Sequence, residues 1–321
     1  MADVRQSDAT LVVASAGGHL MQARLLAPRL GLGSVTWVTY PVQQAESMLA
    51  GEDVVYAHHP TTKNVGNAAR NYRLARRVFR DGSFQRIVST GAAVAVPFML
   101  RARQLGIACH YLESATRVTG PSLSGRMLQA VPGVRLYRQV GTWGGRRWRA
   151  GPCVFDGYDV ASTERSAGFQ PLRAVVSLGT QAFPFDALVE AIRQRCAPAL
   201  EQITWQLAST PEPPGLAGHV VDQLPVQDLQ DEIKHADVLV GHCGVGLALT
   251  ALALGKVPVL VPRRRRRGEH TDDHQVDLAG ELDRRGLAVV VEAGELSYEH
   301  LERAASLVAT WREPPLFELD D

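Results

Sequence analysis

The 321-residue sequence has few features that would suit a protein to an oxidising compartment or a membrane interior. Its four cysteines are scattered, without any C-x-x-C pair: Cys109, Cys153, Cys196 and Cys243. This scatter is typical of a reduced, cytosolic protein and argues against a disulfide framework or a thiolate metal site. The longest clean apolar run, Ala92–Leu100, contains Pro97 and falls far short of the ~20 residues that a membrane span needs.

Two common sequence signatures are also missing. The N-terminal stretch MADVRQSDAT is polar and runs directly into a strand, so it predicts no signal peptide. The first glycine turn, Ser15–His19, lacks the G-x-G-x-x-G spacing, which argues against a dinucleotide-binding fingerprint.

The two halves of the chain carry opposite charge although the formal net charge is only +1. Residues 1–160 hold 19 Lys and Arg against 9 Asp and Glu, whereas residues 161–321 hold 15 against 24. The basic half either faces an anionic partner or pairs with the acidic half across a domain interface, and composition leaves both open.

Apolar runs and helical patterns alternate along both halves. At ~150 residues per domain the length suits two domains, which we place at residues 1–165 and 170–321, joined by a linker at about 162–170. The alternation predicts an α/β protein with two doubly wound, Rossmann-like domains facing across a cleft. We expect a last helix at about Tyr298–Trp311, which packs back on the N-terminal domain.

A glycine turn follows the first predicted strand, Leu11–Ala14. Gly17 and Gly18 allow close approach of the backbone, and His19 lies where a strand gives way to a helix. A histidine there is a candidate general base, or else a helix cap or an anion contact. Glu113 follows a later strand and is a second acid/base candidate, or an orienter of His19.

Basic residues cluster in two places in the N-terminal half. The predicted helix Val65–Arg80 carries five arginines on one face, which is typical of helices on anionic membranes but also of packed helices with a solvated face. The segment Trp143–Arg149 mixes aromatic and basic residues, but it is too short to predict nucleic-acid binding without a recognisable module.

The stretch Gly241–Asp277 predicts strand, glycine turn, helix, buried strand, polar loop and helix. One helix begins near Val245 and the next near His274, on the same edge of a parallel sheet. Unpaired N–H groups and the helix dipole favour phosphates at such ends. We therefore predict that this edge holds the diphosphate of a nucleotide-linked substrate.

The loop inside this stretch is strongly polar. The run Arg263–Arg267 is either a solvated loop or a phosphate contact, and its place after a strand end favours the phosphate. Four residues have side chains that bind divalent ions: His270, Asp272, Asp273 and His274. Because either aspartate is equally an ordinary helix N-cap, we do not expect a metal there.

These motifs resemble a known glycosyltransferase family. The N-terminal half is similar to the membrane-recruiting subunit of the UDP-N-acetylglucosamine transferase of dolichol-linked glycan synthesis, and closer still to its bacterial exopolysaccharide relatives. The matching segments are Ser15–His19, Ser89–Phe98 and Tyr111–Leu128. The C-terminal half resembles the partner subunit, as if both were fused, through Val176–Ile192, Gly241–Leu252 and Gly268–Leu282.

The resemblance implies a GT-B fold of the glycosyltransferase family 28 type, without a metal or other cofactor. It implies a UDP-sugar donor held by the C-terminal domain and a polyprenyl-diphosphate-linked acceptor met by the N-terminal domain. The partners would be these substrates and an anionic membrane surface, not nucleic acid. The protein would then be cytoplasmic and peripheral on the inner face of the membrane. Thr250 stands where the related peptidoglycan enzyme has a ribose-binding glutamate, which leaves the ribose contact open.

From these observations we expect an inverting, β-linkage-forming hexosyltransferase of cell-surface or exopolysaccharide synthesis. His19 is the leading base and Glu113 the alternate, with Gly17, Gly18 and Arg117 on the acceptor side. The expected donor contacts are Gly179, Thr180, His242, Gly244, Val245, Gly246, Thr250, Arg263, His270, His274 and Gln275. The alternatives are a UDP-sugar epimerase on the same fold and a non-catalytic nucleotide-sugar-binding protein.

Overall fold

The computed structural model describes residues 9–59, 64–163, 171–180 and 183–320. The chain forms two compact units. The first unit comprises the residues up to Asp156 and those from Pro314 onward, and the second unit is Gly157–Glu313. The predicted domain boundary at about 162–170 lies largely outside the described residues.

The first unit is built on a seven-stranded sheet whose neighbouring strands all run parallel, in the order β3-β2-β1-β4-β5-β6-β7. The strands are β1 Thr10–Ala14, β2 Val35–Thr39, β3 Asp53–Tyr56, β4 Arg86–Gly91, β5 Ala108–Leu112, β6 Val134–Arg138 and β7 Trp148–Ala150. The helices are α1 Gly18–Arg29, α2 Gln43–Met48, α3 Val65–Asp81, α4 Ala95–Gln104 and α5 Leu123–Gln129, with a 3-10 turn at Gly145–Arg147.

The core of this unit explains why its strands read as apolar runs. A parallel sheet is covered on both faces, so side chains of both orientations need apolar neighbours. Every residue of β1 is buried, and Ile87 and Tyr111 of the next strands are fully enclosed. On α3 the predicted arginine face is exposed, while the buried stripe includes Asn67 and Asn71.

The second unit has a six-stranded parallel sheet in the order β11-β10-β9-β12-β13-β14 and an antiparallel pair of β8 with β15. The strands are β8 Tyr158–Ser162, β9 Leu172–Ser177, β10 Leu200–Gln206, β11 His219–Val221, β12 Val238–His242, β13 Val259–Val261, β14 Val289–Val290 and β15 Leu307–Trp311. The helices are α6 Asp186–Arg195, α7 Val226–His235, α8 Val245–Ala253, α9 His274–Arg284 and α10 Tyr298–Ala305. Three 3-10 turns lie at Ala197–Ala199, Arg265–Arg267 and Ala293–Glu295.

The prediction of a last helix reaching Trp311 is wrong. The helix α10 ends at Ala305, and the segment LVATW forms β15 because its β-branched and aromatic residues suit a strand that pairs with β8. The helix α10 contacts strands of the second unit. It is the tail from Pro314 that belongs to the first unit, where the Phe317 N–H donates to the Arg29 carbonyl at 2.8 Å.

Candidate active site

Each unit has one point where its strand order reverses, and the predicted site residues lie at both points. In the first unit the reversal falls between β1 and β4, and in the second between β9 and β12. Ligands of doubly wound sheets bind at the carboxyl ends of the strands beside such a reversal. His19 follows β1 and Gly179 follows β9, while His242 ends β12. The candidate residues thus lie where sheets of this kind bind their ligands.

His19 lies in the first turn of α1 and is fixed by the neighbouring strand β4. Its Nδ1 lies 2.8 Å from the Thr90 carbonyl oxygen, and the Thr90 hydroxyl donates to the His19 carbonyl at 2.7 Å. A carbonyl can only accept, so Nδ1 carries the proton and Nε2 of the neutral ring keeps its lone pair. A histidine in this tautomer is suited to accept a proton at Nε2.

The space for the His19 ring exists because residue 91 is a glycine. A Cβ at Gly91 would lie 2.8 Å from His19 Cε1, and Gly91 has φ +121°, which disfavours any side chain. Thr90 and Gly91 thus position the imidazole. Both belong to the segment Ser89–Phe98, but sequence reasoning did not name them as site residues. The available signal was a glycine directly after a strand.

Burial keeps His19 neutral near physiological pH. Loss of solvation lowers the pKa of His19 below its ordinary value, while the Thr90 carbonyl and the Glu113 charge oppose this change and the Arg117 charge adds to it. The ring is nevertheless partly exposed, so a ligand can reach it. These properties favour a general base over a helix cap.

Glu113 is held by hydrogen bonds within the fold, and its role as alternate base or orienter of His19 stays a prediction. The residue is 1% exposed, and its carboxylate accepts from the Ser122 N–H and hydroxyl, both at 2.9 Å. It also accepts from the Ser114 N–H at 3.1 Å and the Tyr111 hydroxyl at 3.3 Å. These bonds occupy both oxygens and fasten the start of α5, whereas the Thr90 carbonyl orients His19.

The remaining acceptor-side candidates surround the same turn. Gly17 precedes α1 with φ +81°, a left-handed conformation that explains the glycine, and no side chain caps the helix there. Gly18 begins α1. Arg117 lies close enough for its charge to lower the pKa of His19, and its carbonyl accepts from Trp143 Nε1 at 3.0 Å.

In the second unit the ring of His242 lies between two glycine turns. A Cβ at Gly179 would lie 2.6 Å from His242 Cε1, and a Cβ at Gly244 would lie 2.5 Å from His242 Nε2. Burial, aided by the Arg263 charge, lowers the pKa of His242 to about 4. Its buried Nδ1 has no hydrogen-bond partner within the described parts of the chain. A neutral imidazole with an unused nitrogen is suited to a polar ligand at this turn.

The helix α8 presents its N-terminus at the same turn. It begins at Val245 after Gly244, without a side-chain cap among the described residues. Val245 and Gly246 therefore offer first-turn N–H groups and the positive end of the helix dipole to an anion. The Thr250 hydroxyl donates to the Gly246 carbonyl of its own helix at 2.9 Å, and its predicted ribose contact stays open.

The arginine run divides into buried and exposed members, and the predicted donor contact of Arg263 stays a prediction. Arg263 is 1% exposed; its guanidinium lies over the Phe185 ring and donates to the carbonyls of Phe183, Pro184, Leu178 and Glu269. In this structure its hydrogen bonds hold together the loops around the turn. Arg264 pairs with Glu292, and only 265–267 of this run are exposed.

The other predicted donor contacts lie around Arg263. Gln275 is 2% exposed, and its Oε1 accepts from the Arg263 N–H at 3.1 Å. Thr180 is exposed beside Gly179, and the next two residues lie outside the described part of the chain. His270 and His274 precede and begin α9, with ring centroids 4.6 Å apart.

Within the described residues, none of the helices combines the length and the apolar character needed to cross a membrane.

The comparison with protein families gives one match. Residues 166–314 match the sequence model of the glycosyltransferase family 28 C-terminal domain, and this match supports a role in glycosyl transfer. It contains both glycine turns, His242, α8 and the loop before α9. No curated protein sequence matches the chain. The predicted fusion of two subunits stays a prediction.

Solved structures share the fold over most of the chain. MurG of Acinetobacter baumannii is 19% identical with a TM-score of 0.55, over 92% of this chain and 88% of that one. The glycosyltransferase SnogD from Streptomyces nogalater is 20% identical with a TM-score of 0.59, over 94% and 91%. The MnaA–UDP structure from S. aureus is 8% identical with a TM-score of 0.58, over 92% and 86%. The fold is therefore that of the GT-B glycosyltransferases, which confirms the predicted fold class.

Proposed function

We propose that the protein is an inverting glycosyltransferase that moves a hexose from a UDP-sugar to a polyprenyl-diphosphate-linked glycan. Its role would lie in cell-surface or exopolysaccharide synthesis. The observation that carries the proposal is the arrangement around His242. Two glycine turns and the uncapped N-terminus of α8 meet there at the strand reversal, inside the segment that matches a glycosyltransferase domain.

The second unit would bind the donor and stabilise the leaving diphosphate. First-turn N–H groups of α8 would donate to phosphate oxygens, and His242 would add a neutral hydrogen bond. The exposed arginines at 265–267 would supply positive charge, and His270 and His274 would complete the donor contacts. In this proposal the chain's own groups replace a metal, so transfer should persist in a chelator.

His19 of the first unit would be the general base. As the acceptor hydroxyl attacks the anomeric carbon, its proton moves to Nε2 of His19. The bond between the anomeric carbon and the diphosphate oxygen breaks, and UDP departs with that electron pair. A single displacement converts an α-linked donor into a β-linked product. The bond from Nδ1 to the Thr90 carbonyl would stabilise the imidazolium as it forms.

The first unit would meet the lipid-linked acceptor at an anionic membrane surface. The arginines of α3 at positions 70, 73, 76, 77 and 80 are exposed. Three apolar side chains on α3 and α5 are also exposed: Val65 at 84%, Leu123 at 73% and Met127 at 51%. Basic and apolar side chains together favour peripheral binding.

The test is transfer from a panel of UDP-sugars to a lipid-diphosphate-sugar acceptor, with and without EDTA. We expect one preferred donor, a β-linked product by NMR, and turnover about 10²–10⁴-fold lower in His19→Gln with donor affinity retained. Conversion of the UDP-sugar without acceptor would instead indicate an epimerase. Undiminished turnover in His19→Gln would exclude His19 as the base.

A further inference from the structure

Three side chains at the start of α9 bring metal-binding groups together. His270, Asp272 and His274 each place a ligand atom within 4.8 Å of those of the other two. The Asp272 Oδ1 lies 3.1 Å from His270 Nδ1 and makes a short hydrogen bond with His274 Nδ1. One carboxylate oxygen therefore faces two imidazole nitrogens.

The ordinary explanation for an aspartate at this position does not account for Asp272. Helix α9 begins after Asp273, and Asp273 does not cap it through its side chain. The Asp273 carboxylate accepts from the Arg265 N–H at 3.0 Å and is thereby turned to the preceding loop. The Asp272 carboxylate is directed instead to the two histidines.

A ring nitrogen of His270 and a carboxylate oxygen of Asp272, which can both accept a hydrogen bond, lie close together. The Asp272 N–H lies 3.3 Å from His270 Nδ1 in donor geometry, and this contact is a hydrogen bond only when that nitrogen carries a lone pair. The Asp272 carboxylate oxygen lies 3.1 Å from the same nitrogen. A lone pair and a carboxylate oxygen at this separation repel each other unless a proton or another cation lies between them.

The surroundings suit an ion that enters from one side. The His270 side chain is 7% exposed, and its ring centroid lies 5.5 Å from that of Phe183. The Asp272 side chain is 40% exposed. The histidine side is thus shielded from water, while the aspartate side is open to entry and can adjust its position.

We propose that His270, Asp272 and His274 form a binding site for a first-row transition-metal ion such as Zn²⁺. Two imidazoles favour such ions over Mg²⁺ and Ca²⁺, which prefer oxygen ligands. Bonds of ~2.0–2.2 Å place tetrahedral ligand atoms ~3.4 Å apart. The ligand atoms of this cluster lie both nearer than this and up to 4.8 Å apart, so small rotations of the three side chains would form the site. Three protein ligands leave a fourth position to water.

The test is a titration of the chelator-treated full chain with Zn²⁺ alone, by calorimetry, and with Co²⁺, by visible absorption. We expect one Zn²⁺ per chain, a d–d band with Co²⁺, and a higher melting temperature with Zn²⁺ than without it. Asp272→Asn and His274→Ala should each weaken binding on the order of tenfold or more. No donor is present, so the result does not depend on the proposed glycosyl transfer.

The matched control is His235→Ala, which removes a histidine of α7 whose Nδ1 lies 2.7 Å from the Asp231 carbonyl oxygen. It should bind Zn²⁺ like the wild type. Melting of each metal-free variant shows that it is folded, and Asp272→Asn preserves the shape of the side chain. Equal Zn²⁺ affinity in wild type and Asp272→Asn, or no saturable binding by the wild type, would overturn the proposal.

Discussion

His19 depends on its neighbours for both its tautomer and its position. The Thr90 carbonyl fixes the proton on Nδ1, and the ring occupies the space beside Gly91. Gly91→Ala should push the ring away from Thr90 and reduce kcat about 10²-fold, because small displacements of a catalytic group are costly. Donor affinity, measured by calorimetry with UDP, should be unchanged because UDP is assigned to the second unit.

The control for this substitution is Gly106→Ala. Gly106 also has a positive φ, +76°, but an added Cβ there has nothing within 4 Å. It therefore introduces an alanine at a positive φ without a collision with His19, at a smaller backbone strain than φ +121° imposes. An equal loss of kcat in both variants would mean that strain, and not the placement of His19, causes the effect.

The role of Arg263 depends on its burial and not on the arginines next to it in the sequence. Burial lowers its pKa to about 10, so it stays charged at neutral pH, and main-chain carbonyls surround the guanidinium. Arg263→Met should lower the free energy of unfolding by about 3 kcal/mol or more, because it leaves buried carbonyls without donors. The measurement is urea unfolding without ligand, with the exposed Arg265→Met as a control that should change stability by less than about 0.5 kcal/mol.

His242 should make stability depend on pH. Its pKa of about 4 in the folded chain is below the ordinary value of 6.5, so between these values the unfolded chain binds more protons. Its contribution is therefore complete above pH 6.5 and is lost as pH falls towards 4. Between pH 7 and 4.5 the wild type should lose about 2 to 3 kcal/mol more than His242→Asn in urea unfolding. Equal losses would show that His242 is not buried in its neutral form.

At the scale of elements, the parallel strands could be predicted from the sequence. The pairing of β8 with β15, outside the two parallel sheets, could not. Strands such as β1, β9 and β12 are buried on both faces, so they appear as apolar runs between helices. The strands β8 and β15 pair antiparallel across a long sequence separation, and β15 directly follows α10, so sequence periodicity extended the helix through it.

The exposed arginines of helix α3 should bind anionic vesicles. Each arginine near the membrane surface should contribute roughly 1 kcal/mol to the binding free energy. Replacing Arg73, Arg76 and Arg77 by Ser should reduce sedimentation with phosphatidylserine vesicles. Binding by the wild type should weaken as salt rises, because salt screens surface charge.

The control for α3 is a triple replacement in the second unit with the same change in net charge. Arg193, Arg284 and Arg312 have side chains that are 42%, 68% and 80% exposed. Their replacement by Ser should leave vesicle binding nearly unchanged. An equal reduction in both triple variants would mean that net charge, and not the face of α3, determines binding.

At the scale of the whole molecule, the sequence predicted where the candidate site residues lie relative to the strands. It did not predict the contacts that each of these residues makes. Positions after β1, β9 and β12 follow from the rule that ligands meet the carboxyl ends of strands. Roles depend on contacts that the sequence does not show. Glu113 is saturated by hydrogen bonds, and Arg263 is enclosed while 265–267 of the same run are exposed. Arginines that are adjacent in the sequence thus have different environments in the fold.

The most direct test of the account is a crystal structure of the protein with UDP. The account predicts that the diphosphate contacts the first-turn N–H groups of α8 at Val245 and Gly246, beside His242 and the turn at Gly179. A nucleotide bound away from residues 241–275, or no binding of any uridine nucleotide in solution, would contradict it.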